Sequence, residues 1–419
     1  MELTSAEDIR AVLAGALKGS RDVNLISYRL VSNSPNGFNG LYYTVLIDYS
    51  QKNNEQALTL SCFAKGVPPS RHHVAYIKGT KLLHKENEFF QKLLPFFQKH
   101  VTFEVPVPKC YFSRFDEDKF VNSLVIMEDL QVQGFITRDR LEFMNERELF
   151  LVMPALAKLH AASLIAEEKS GIDLKQFCQF HDEALWTLDE ENPAYKWLQS
   201  SIDTIIDVAK SSEKFADRIG KNEHKLARAF EEARLLFRPS GKYRNCVCHG
   251  DIWNNNLMFK YSGCEATDVR IIDMQVYRLA PPVTDVLMFL FLNCDRQVRA
   301  QVMDRLISDY WKALGALFRD AACLLPEEMA DLPTFQRLAE EFWLVGLVAA
   351  AGYVPMNQMP PGAREKNMPQ AAEGEHDFDV VDDFLKSRGA PVLRGMEMSN
   401  SFKNSIENVI EELFKYIGI

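Results

Sequence analysis

The feature that most constrains this chain is the stretch 247–259, VCHGDIWNNNLMF. It places Asp251 in a tight His-Gly-Asp turn, Asn256 five residues later and an apolar strand directly after; a second apolar strand ends at Asp273. Phosphoryl transfer from ATP needs one carboxylate to orient the attacking hydroxyl and accept its proton, and an amide oxygen and a second carboxylate to hold magnesium. The pattern therefore predicts a kinase-type site, with Asp251 as the catalytic carboxylate and Asn256 and Asp273 as further catalytic residues and metal ligands.

The spacing follows that of protein kinases, in which H-R-D precedes an asparagine by five residues and D-F-G comes next. Here Gly250 replaces the arginine, and Asp273-Met274-Gln275 stands in the D-F-G place. The alternative is a β-hairpin whose polar turns carry merely solvated acids. That alternative leaves three successive asparagines beside Trp253 unexplained, so we favour the catalytic interpretation.

The chain before this loop is predicted to form a small β-rich unit with a phosphate-binding lysine. Residues 25–49 alternate like strand, turn and strand, and Gly37 in the turn would let backbone N–H groups approach phosphates, although Asn-Gly is first of all a hairpin turn. A third strand ends in Lys65, the residue type that holds the α- and β-phosphates. The helix predicted over 79–98 offers Glu86 as the ion-pair partner of this lysine, with Glu88 as second choice.

An apolar strand over 123–127 then meets an acidic turn, which marks the hinge where backbone groups bind adenine. Met127, Asp129 and Leu130 are assigned to this nucleotide-binding location rather than to catalysis. We expect an α+β protein with the bilobal protein-kinase-like fold. Residues 1–127 would form the N-lobe, with an N-terminal helix, a sheet and one further helix. Residues 128–419 would form a helical C-lobe with a helical insertion, including the catalytic loop 247–259 and the metal-binding strand end 269–275.

Two spacings separate a protein kinase from a small-molecule kinase. Well over a hundred residues of mostly helical pattern lie between the hinge and His249, and only about ten residues separate Asp273 from the next helix. The second interval is too short for an activation segment and a peptide-docking platform, so the predicted acceptor is a small molecule. Asp285 is expected to brace the catalytic loop, His160 to be a satisfied core histidine, and residues 356–400 to be a mobile linker or a lid.

Charge and cysteine usage restrict the partners and the compartment. The net charge of −10 disfavours binding of nucleic acid or anionic membrane through bulk electrostatics. The eight cysteines are scattered, with Cys246 and Cys248 two apart on one strand, and show no C-x-x-C and no Cys/His cluster at zinc spacing. No basic leader precedes an apolar core, and the longest uncharged apolar run, 342–356, is too short to span a bilayer. We expect a reduced, cytoplasmic protein with no membrane span and no obligate protein partner.

Five stretches carry a family resemblance. They are 86–95 (ENEFFQKLLP), 126–135 (IMEDLQVQGF), 156–163 (LAKLHAAS), 249–259 (HGDIWNNNLMF) and 272–285 (IDMQVYRLAPPVTD). In these the chain resembles the ecdysteroid kinase-like (CHK kinase-like) family, a branch of the aminoglycoside phosphotransferase and choline kinase group. The resemblance implies transfer of phosphate from ATP, with Mg²⁺, to a hydroxyl of an ecdysteroid or a lipophilic xenobiotic alcohol. Carried over by position, Asp251 is the catalytic aspartate, Asn256 and Asp273 are metal ligands, and Lys65 is the phosphate lysine.

The chain departs from the family pattern at two places. Met274 stands where the family usually has phenylalanine, an exchange that preserves an apolar packing role. Gly40, Leu41 and Tyr42 stand where the family usually has an aromatic residue, a small residue and a serine. This second departure puts the phosphate grip of the glycine loop in question, but not the core chemistry.

Two other functions compete with an alcohol kinase. A choline or ethanolamine kinase would bind a cationic acceptor with aromatic and acidic side chains, and is disfavoured because Gln275 stands where choline kinases resemble Asp-x-Glu. A catalytically silent kinase-fold binding protein is disfavoured because no catalytic residue is lost.

Overall fold

The computed structural model describes residues 3–18, 23–33, 40–51, 54–363 and 388–419. The described strands are β1 (Val23–Ser32), β2 (Leu41–Gln51), β3 (Asn54–Gly66), β4 (Cys110–Arg114), β5 (Leu124–Glu128), β6 (Phe135–Thr137), β7 (Cys246–Cys248), β8 (Leu257–Ser262), β9 (Glu265–Ile271) and β10 (Arg278–Ala280). The described helices are α1 (Ala6–Ala16), α2 (Arg71–Thr80), α3 (Leu82–Glu88), α4 (Leu94–Gln98), α5 (Glu146–Ser170), α6 (Leu174–Phe177), α7 (Ala194–Ser211), α8 (Ala216–Ile219), α9 (Glu223–Leu236), α10 (Val283–Asn293), α11 (Arg296–Asp320), α12 (Leu332–Glu341), α13 (Trp343–Asn357), α14 (Gly389–Met398) and α15 (Asn400–Ile417).

The N-terminal region is an antiparallel sheet in the order β1-β2-β3-β5-β4. Alternate residues of β2, including Val45 and Ile47, are buried in a cluster with Ile9 and Val12 of α1, so one face of the sheet is covered by this helix. Alternation of buried and exposed side chains is the period-two pattern that a half-buried strand requires. It is also the pattern from which the sequence analysis predicts β1 and β2.

The helix that carries Glu86 is built in three pieces. Lys81, with a φ of 60°, separates α2 from α3, so the element predicted over 79–98 starts at Leu82. A π-helical turn, Phe89–Leu93, then joins α3 to α4. Pro95, which has no N–H to donate, is the second residue after this wider turn. Together these pieces hold Glu86 against the sheet.

The C-terminal region is helical and is organised around two buried helices. Every residue of α10 is buried, and α5 is buried along most of its length, with Asn145 and Glu148 forming a capping box at its start. Two small sheets, β6-β8-β9 and β7-β10, lie beside these helices and frame the loop between Cys248 and Leu257. A sheet region followed by a helical region confirms the predicted α+β kinase-like class; the boundary placed after residue 127 stays a prediction.

One helix in the described part of the chain, α5, is long and apolar enough to cross a membrane by length and composition, but 78% of its most apolar window is buried inside the protein. The α12–α13 pair passes the same test as a single unit bent by 50°. Burial of this kind is what a core helix shows.

The segment predicted as a linker or lid, 356–400, is anchored at both ends. Its first residues complete α13, and α14 lies near its far end. Arg388 is buried and donates to the hydroxyls of Ser200 and Ser201 and to the carbonyl of Trp197. The ends of the segment are therefore packed structure rather than a linker; residues 364–387 lie outside the described chain.

Candidate active site

Lys65 connects the sheet to the predicted metal-binding strand end. Its Nζ lies 2.8 Å from Oε2 of Glu86, 2.7 Å from Oδ1 of Asp273 and 3.1 Å from Oε1 of Gln275. Burial alone would lower the pKa of Lys65, but the carboxylates of Asp273 and Glu86 outweigh burial and raise it above its usual value. The lysine is therefore a fixed positive charge between two acids.

Glu86, rather than the second choice Glu88, is the partner of this lysine. Glu88 instead accepts hydrogen bonds from the backbone N–H groups of Gln179 and Phe180, at 2.8 and 2.9 Å, and from the hydroxyl of Tyr277, at 2.6 Å. It ties the helix to the C-terminal region. The two glutamates thus have separate tasks, which their spacing in the sequence does not reveal.

The turn before Asp251 depends on glycine. Gly250 has a φ of +85°, and a Cβ added there would lie 2.3 Å from the carbonyl oxygen of Val276. An L-residue would be strained by the backbone angle and would collide with the backbone of the 3-10 turn Met274–Val276. This explains structurally why glycine occupies the place where protein kinases have arginine.

His249 and Asp285 hold the turn in place. The His249 Nε2 donates to the carbonyl of Ile272 at 2.8 Å, and its Nδ1 accepts from the backbone N–H of Asp251 at 3.1 Å. Burial lowers the pKa of His249, so the ring stays neutral in this tautomer. The Asp285 carboxylate accepts from the N–H groups of His249, at 2.5 Å, and Gly250, at 3.1 Å. These contacts are the brace predicted for Asp285.

Asp251 presents one unpaired carboxylate oxygen to the site. Asn256 Nδ2 donates to its Oδ2 at 2.9 Å and to its main-chain carbonyl at 2.8 Å. Its Oδ1 is buried and has no hydrogen-bond partner among the described residues. Burial, and then the charge of Asp273, raise the pKa of Asp251 to about 8. A buried oxygen without a partner beside a second carboxylate is a place where a hydroxyl donor or a cation would be stabilised.

The residues predicted to hold magnesium fit that ion chemically. Asn256 uses its amide nitrogen on Asp251, which leaves its amide oxygen free for another contact. Asp273 has a φ of +67°, a strained conformation for a residue other than glycine, and its carboxylate is held by Lys65 and by Gln275 Nε2 at 2.9 Å. Carboxylate and amide oxygens are the hard ligands that magnesium takes. Asp251, Asn256 and Asp273 are thus brought to one place.

The predicted hinge residues use their side chains structurally. Met127 is buried in the sheet opposite Phe63. Asp129 accepts from the Ser61 hydroxyl at 2.6 Å and from the N–H of Gln131 at 3.0 Å. Leu130 is buried in a small cluster of its own. Their place in nucleotide binding stays a prediction; Gly37 lies outside the described residues.

Sequence reasoning missed a polar and aromatic wall near Asp251. Tyr353 of α13 has a buried hydroxyl with no hydrogen-bond partner in the described part of the chain. Burial, and then the charge of Asp251, raise the pKa of Tyr353 well above its usual value. Its ring packs against Trp197 and Trp186, with centroids 5.2 and 6.1 Å apart. Tyr353 sits in an apolar helix far along the chain, where nothing local in the sequence marks it.

A fully buried ion pair supports the same turn. Arg278 Nη1 donates to Glu183 at 2.5 Å and to the carbonyl of Gly250 at 3.3 Å. Glu183 also caps the chain before Trp186 by accepting from two backbone N–H groups. The pair therefore links the catalytic turn to the aromatic wall, and removing one partner would leave a buried charge uncompensated.

The sequence model of the ecdysteroid kinase-like family matches residues 36–322, a segment that contains Lys65, Glu86, the predicted catalytic loop and Asp285. A curated relative is "Uncharacterized oxidoreductase dhs-27" of Caenorhabditis elegans, 22% identical over 55% of this chain and 28% of that protein. The chain thus spans little more than a quarter of that relative's length.

Several solved structures are similar in overall shape. A choline kinase from Cryptosporidium parvum is 11% identical, with 99% of this chain and 100% of that chain covered and a TM-score of 0.44. A Plasmodium vivax ethanolamine kinase is 10% identical, with 90% and 83% covered and a TM-score of 0.41. A putative aminoglycoside phosphotransferase from Ralstonia eutropha is 12% identical, with 95% and 98% covered and a TM-score of 0.43. These similarities are weak, so family membership rests on the family match.

Proposed function

The chain belongs to the ecdysteroid kinase-like family, and on that premise we propose that it is an ATP- and magnesium-dependent phosphotransferase acting on a hydroxyl of a small molecule. The observation that carries the proposal is the unpaired, buried Oδ1 of Asp251 beside the Lys65–Glu86–Asp273 ion-pair cluster. A site that moves a phosphoryl group needs a carboxylate poised for a hydroxyl next to fixed charges that hold phosphates.

Each side chain then has a separate task. Asp251 Oδ1 accepts the hydrogen bond of the acceptor hydroxyl, orients it for attack and takes its proton as the new bond forms. Lys65 holds the phosphates of the nucleotide, and Glu86 keeps that lysine in position. Asn256 and Asp273 would hold magnesium, which when bound neutralises the charge of the transferring phosphate. His249 and Asp285 fix the turn without taking part in bond making.

For the acceptor we propose an ecdysteroid or another lipophilic alcohol. Support comes from the family match and from the apolar, aromatic surroundings of Asp251, where the buried Tyr353 hydroxyl has no partner in the described residues and its ring is backed by the buried Trp186 and Trp197. Aromatic faces suit a ring system with few charges. A cationic acceptor is disfavoured because Gln275 stands where choline kinases resemble Asp-x-Glu.

A choline- or ethanolamine-type kinase is the second candidate, since the same aromatic faces attract quaternary ammonium groups. The two candidates differ in acceptor and share Asp251, so one assay separates them. A catalytically silent binding protein would fail that assay with every acceptor. We also propose a cytoplasmic location, supported by eight free cysteines, all within the described chain, and testable by fractionating cells that express the tagged chain.

The experiment is transfer of labelled γ-phosphate from ATP to a panel of ecdysteroids, plant phenols and glycosides, and choline. We expect transfer to a neutral alcohol that requires magnesium and falls at least about 100-fold in Asp251→Asn. Asp304→Asn, an exposed position on α11, is the matched control and should keep full activity. Transfer to choline alone would reverse the acceptor assignment. A protein that neither transfers phosphate to any acceptor nor binds magnesium-ATP would overturn the proposed function.

A further inference from the structure

We propose that Cys246, Cys248 and His160 bind a zinc ion directly behind the catalytic loop. The two cysteines lie on β7 and the histidine lies on α5. One ligand atom from each residue lies within 4.8 Å of the other two, and all three residues are fully buried. This site is separate from the predicted magnesium site and does not depend on the proposed kinase activity.

The sulfur atoms are already spaced as zinc ligands. Cys246 and Cys248 are two apart on a strand, so their side chains leave the same face. Their Sγ atoms are 3.6 Å apart. Two thiolates bound at about 2.3 Å to one tetrahedral zinc would be about 3.7 Å apart. The ion could therefore be accepted between them with little movement of the strand.

The histidine is supported in the way that zinc-bound histidines are. Its Nδ1 lies 2.7 Å from the Tyr310 hydroxyl, and its Nε2 lies 3.3 Å from Oδ2 of Asp285. Whichever ring nitrogen binds zinc, the other has a buried acceptor, and such a partner fixes the ring of a metal-binding histidine. If Nε2 binds the ion, Asp285 is also close enough to complete a fourth position.

Charge and ligand type favour a soft cation here. Two thiolates, one neutral imidazole and Zn²⁺ sum to zero, which matters in a site closed to water. With Asp285 as fourth ligand the sum is −1, and the Arg278 guanidinium, 3.9 Å from the Asp285 carboxylate, offsets that charge. Zinc takes cysteine as thiolate and histidine as neutral imidazole, so the protons that these side chains carry leave when the ion binds. Thiolate and imidazole select zinc, whereas the oxygens of Asn256 and Asp273 select magnesium.

Without an ion the cluster has weak internal bonds. The Cys248 sulfur lies 3.5 Å from both the Thr284 hydroxyl and the Ala280 carbonyl, and the Cys246 sulfur contacts Cys248. Thiols are poor hydrogen-bond donors. Zinc would join α5 to the strand that runs directly into His249, so its expected effect is to stiffen the base of the catalytic loop.

The test is the metal content of the full-length chain, expressed in zinc-supplemented medium and measured by mass spectrometry of the elements after gel filtration. We expect one zinc per chain in the wild type and loss of that zinc in Cys246→Ser/Cys248→Ser. Cys264→Ser removes an exposed cysteine and should keep the zinc.

A second measurement covers the case in which the double variant fails to fold. Wild-type protein expressed in cobalt-supplemented medium should show the near-ultraviolet band of thiolate-bound cobalt, and Cys264→Ser should show the same band. Folded wild type with far less than one zinc per chain and no such band would overturn the proposal. The cluster would then be a hydrogen-bonded group of buried side chains.

Discussion

The carboxyl group of Asp251 should lower the stability of the fold above mildly acidic pH. Burial and the charge of Asp273 raise its pKa from 3.8 to about 8. A carboxyl whose pKa is raised on folding binds its proton more tightly in the folded state. Its ionisation therefore destabilises the fold, and stability falls as pH rises from the unfolded pKa of 3.8 toward about 8. Asp251→Asn removes this ionisation and should be more stable than the wild type at neutral pH.

The size of this stability change follows from the rise in the pKa of Asp251 on folding. One pKa unit corresponds to about 1.4 kcal/mol, so one proton gives a slope of at most about 1.4 kcal/mol per pH unit. Integrated to pH 7, this is an upper limit of about 4 kcal/mol. The actual gain in stability is smaller than this limit, because Asp251 is only half-buried. In the variant, the new amide N–H also takes the place of Oδ1 without a hydrogen-bond partner, which costs about 1–2 kcal/mol. We expect Asp251→Asn to be stabilised by about 2 kcal/mol at pH 7.

The assay is urea unfolding at pH 5.5, 6.5 and 7.5 in the absence of magnesium and nucleotide, followed by circular dichroism. The free energy of unfolding of Asp251→Asn should exceed that of the wild type by a margin that grows with pH. Asp304→Asn, exposed on α11, should change it by less than about 0.5 kcal/mol at every pH. A variant that is less stable at all three pH values, or a margin that does not grow, would refute the reasoning.

Three further predictions follow from single contacts. Gly250→Ala should lower the melting temperature and the activity far more than Gly263→Ala does. Both glycines have a positive φ, but of the two only Gly250 would place an added Cβ against a neighbouring backbone atom, at 2.3 Å. Lys65→Met should reduce kcat/KM for ATP by about 100-fold, as loss of one preorganised charge does; an unchanged value would contradict its phosphate role. Tyr353→Phe should raise KM for the acceptor about tenfold, because it removes the free energy of one hydrogen bond, and should leave KM for ATP unchanged. Equal increases in both KM values would contradict a position of Tyr353 on the acceptor side.

The parts of the site that the sequence predicts are those with local constraints. Asp251 and Asn256 lie five residues apart on one turn, and the antiparallel hairpin of β8 and β9 brings the chain back to them at Asp273. The ion pair of Lys65 and Glu86 is predictable because a lysine at the end of β3 can reach few acidic side chains on the helix that follows. Glu86 and Glu88 lie on different sides of α3, and only Glu86 reaches Lys65 of the sheet, whereas Glu88 accepts a hydrogen bond from Tyr277. Their spacing in the sequence favours Glu86 as the partner of Lys65 but does not exclude Glu88.

The remaining parts depend on how distant helices pack. Tyr353 reaches the neighbourhood of Asp251 because α13 packs beside α10, a relation that has no signature in an apolar run of residues. His160 is correctly predicted to be buried and satisfied, but its position beside Cys246 and Cys248 comes from the packing of α5 on β7. The sequence has no Cys/His cluster at zinc spacing along the chain, and this group comes together only in the fold.

Phosphate transfer by the wild type and Asp251→Asn, run side by side with the acceptor that the panel identifies, tests the central claim most directly. We predict a phosphorylated acceptor and an equal amount of ADP with the wild type. Asp251→Asn should give neither while binding magnesium-ATP as tightly as the wild type. Equal turnover by the two proteins would contradict the assignment of Asp251 as the catalytic carboxylate.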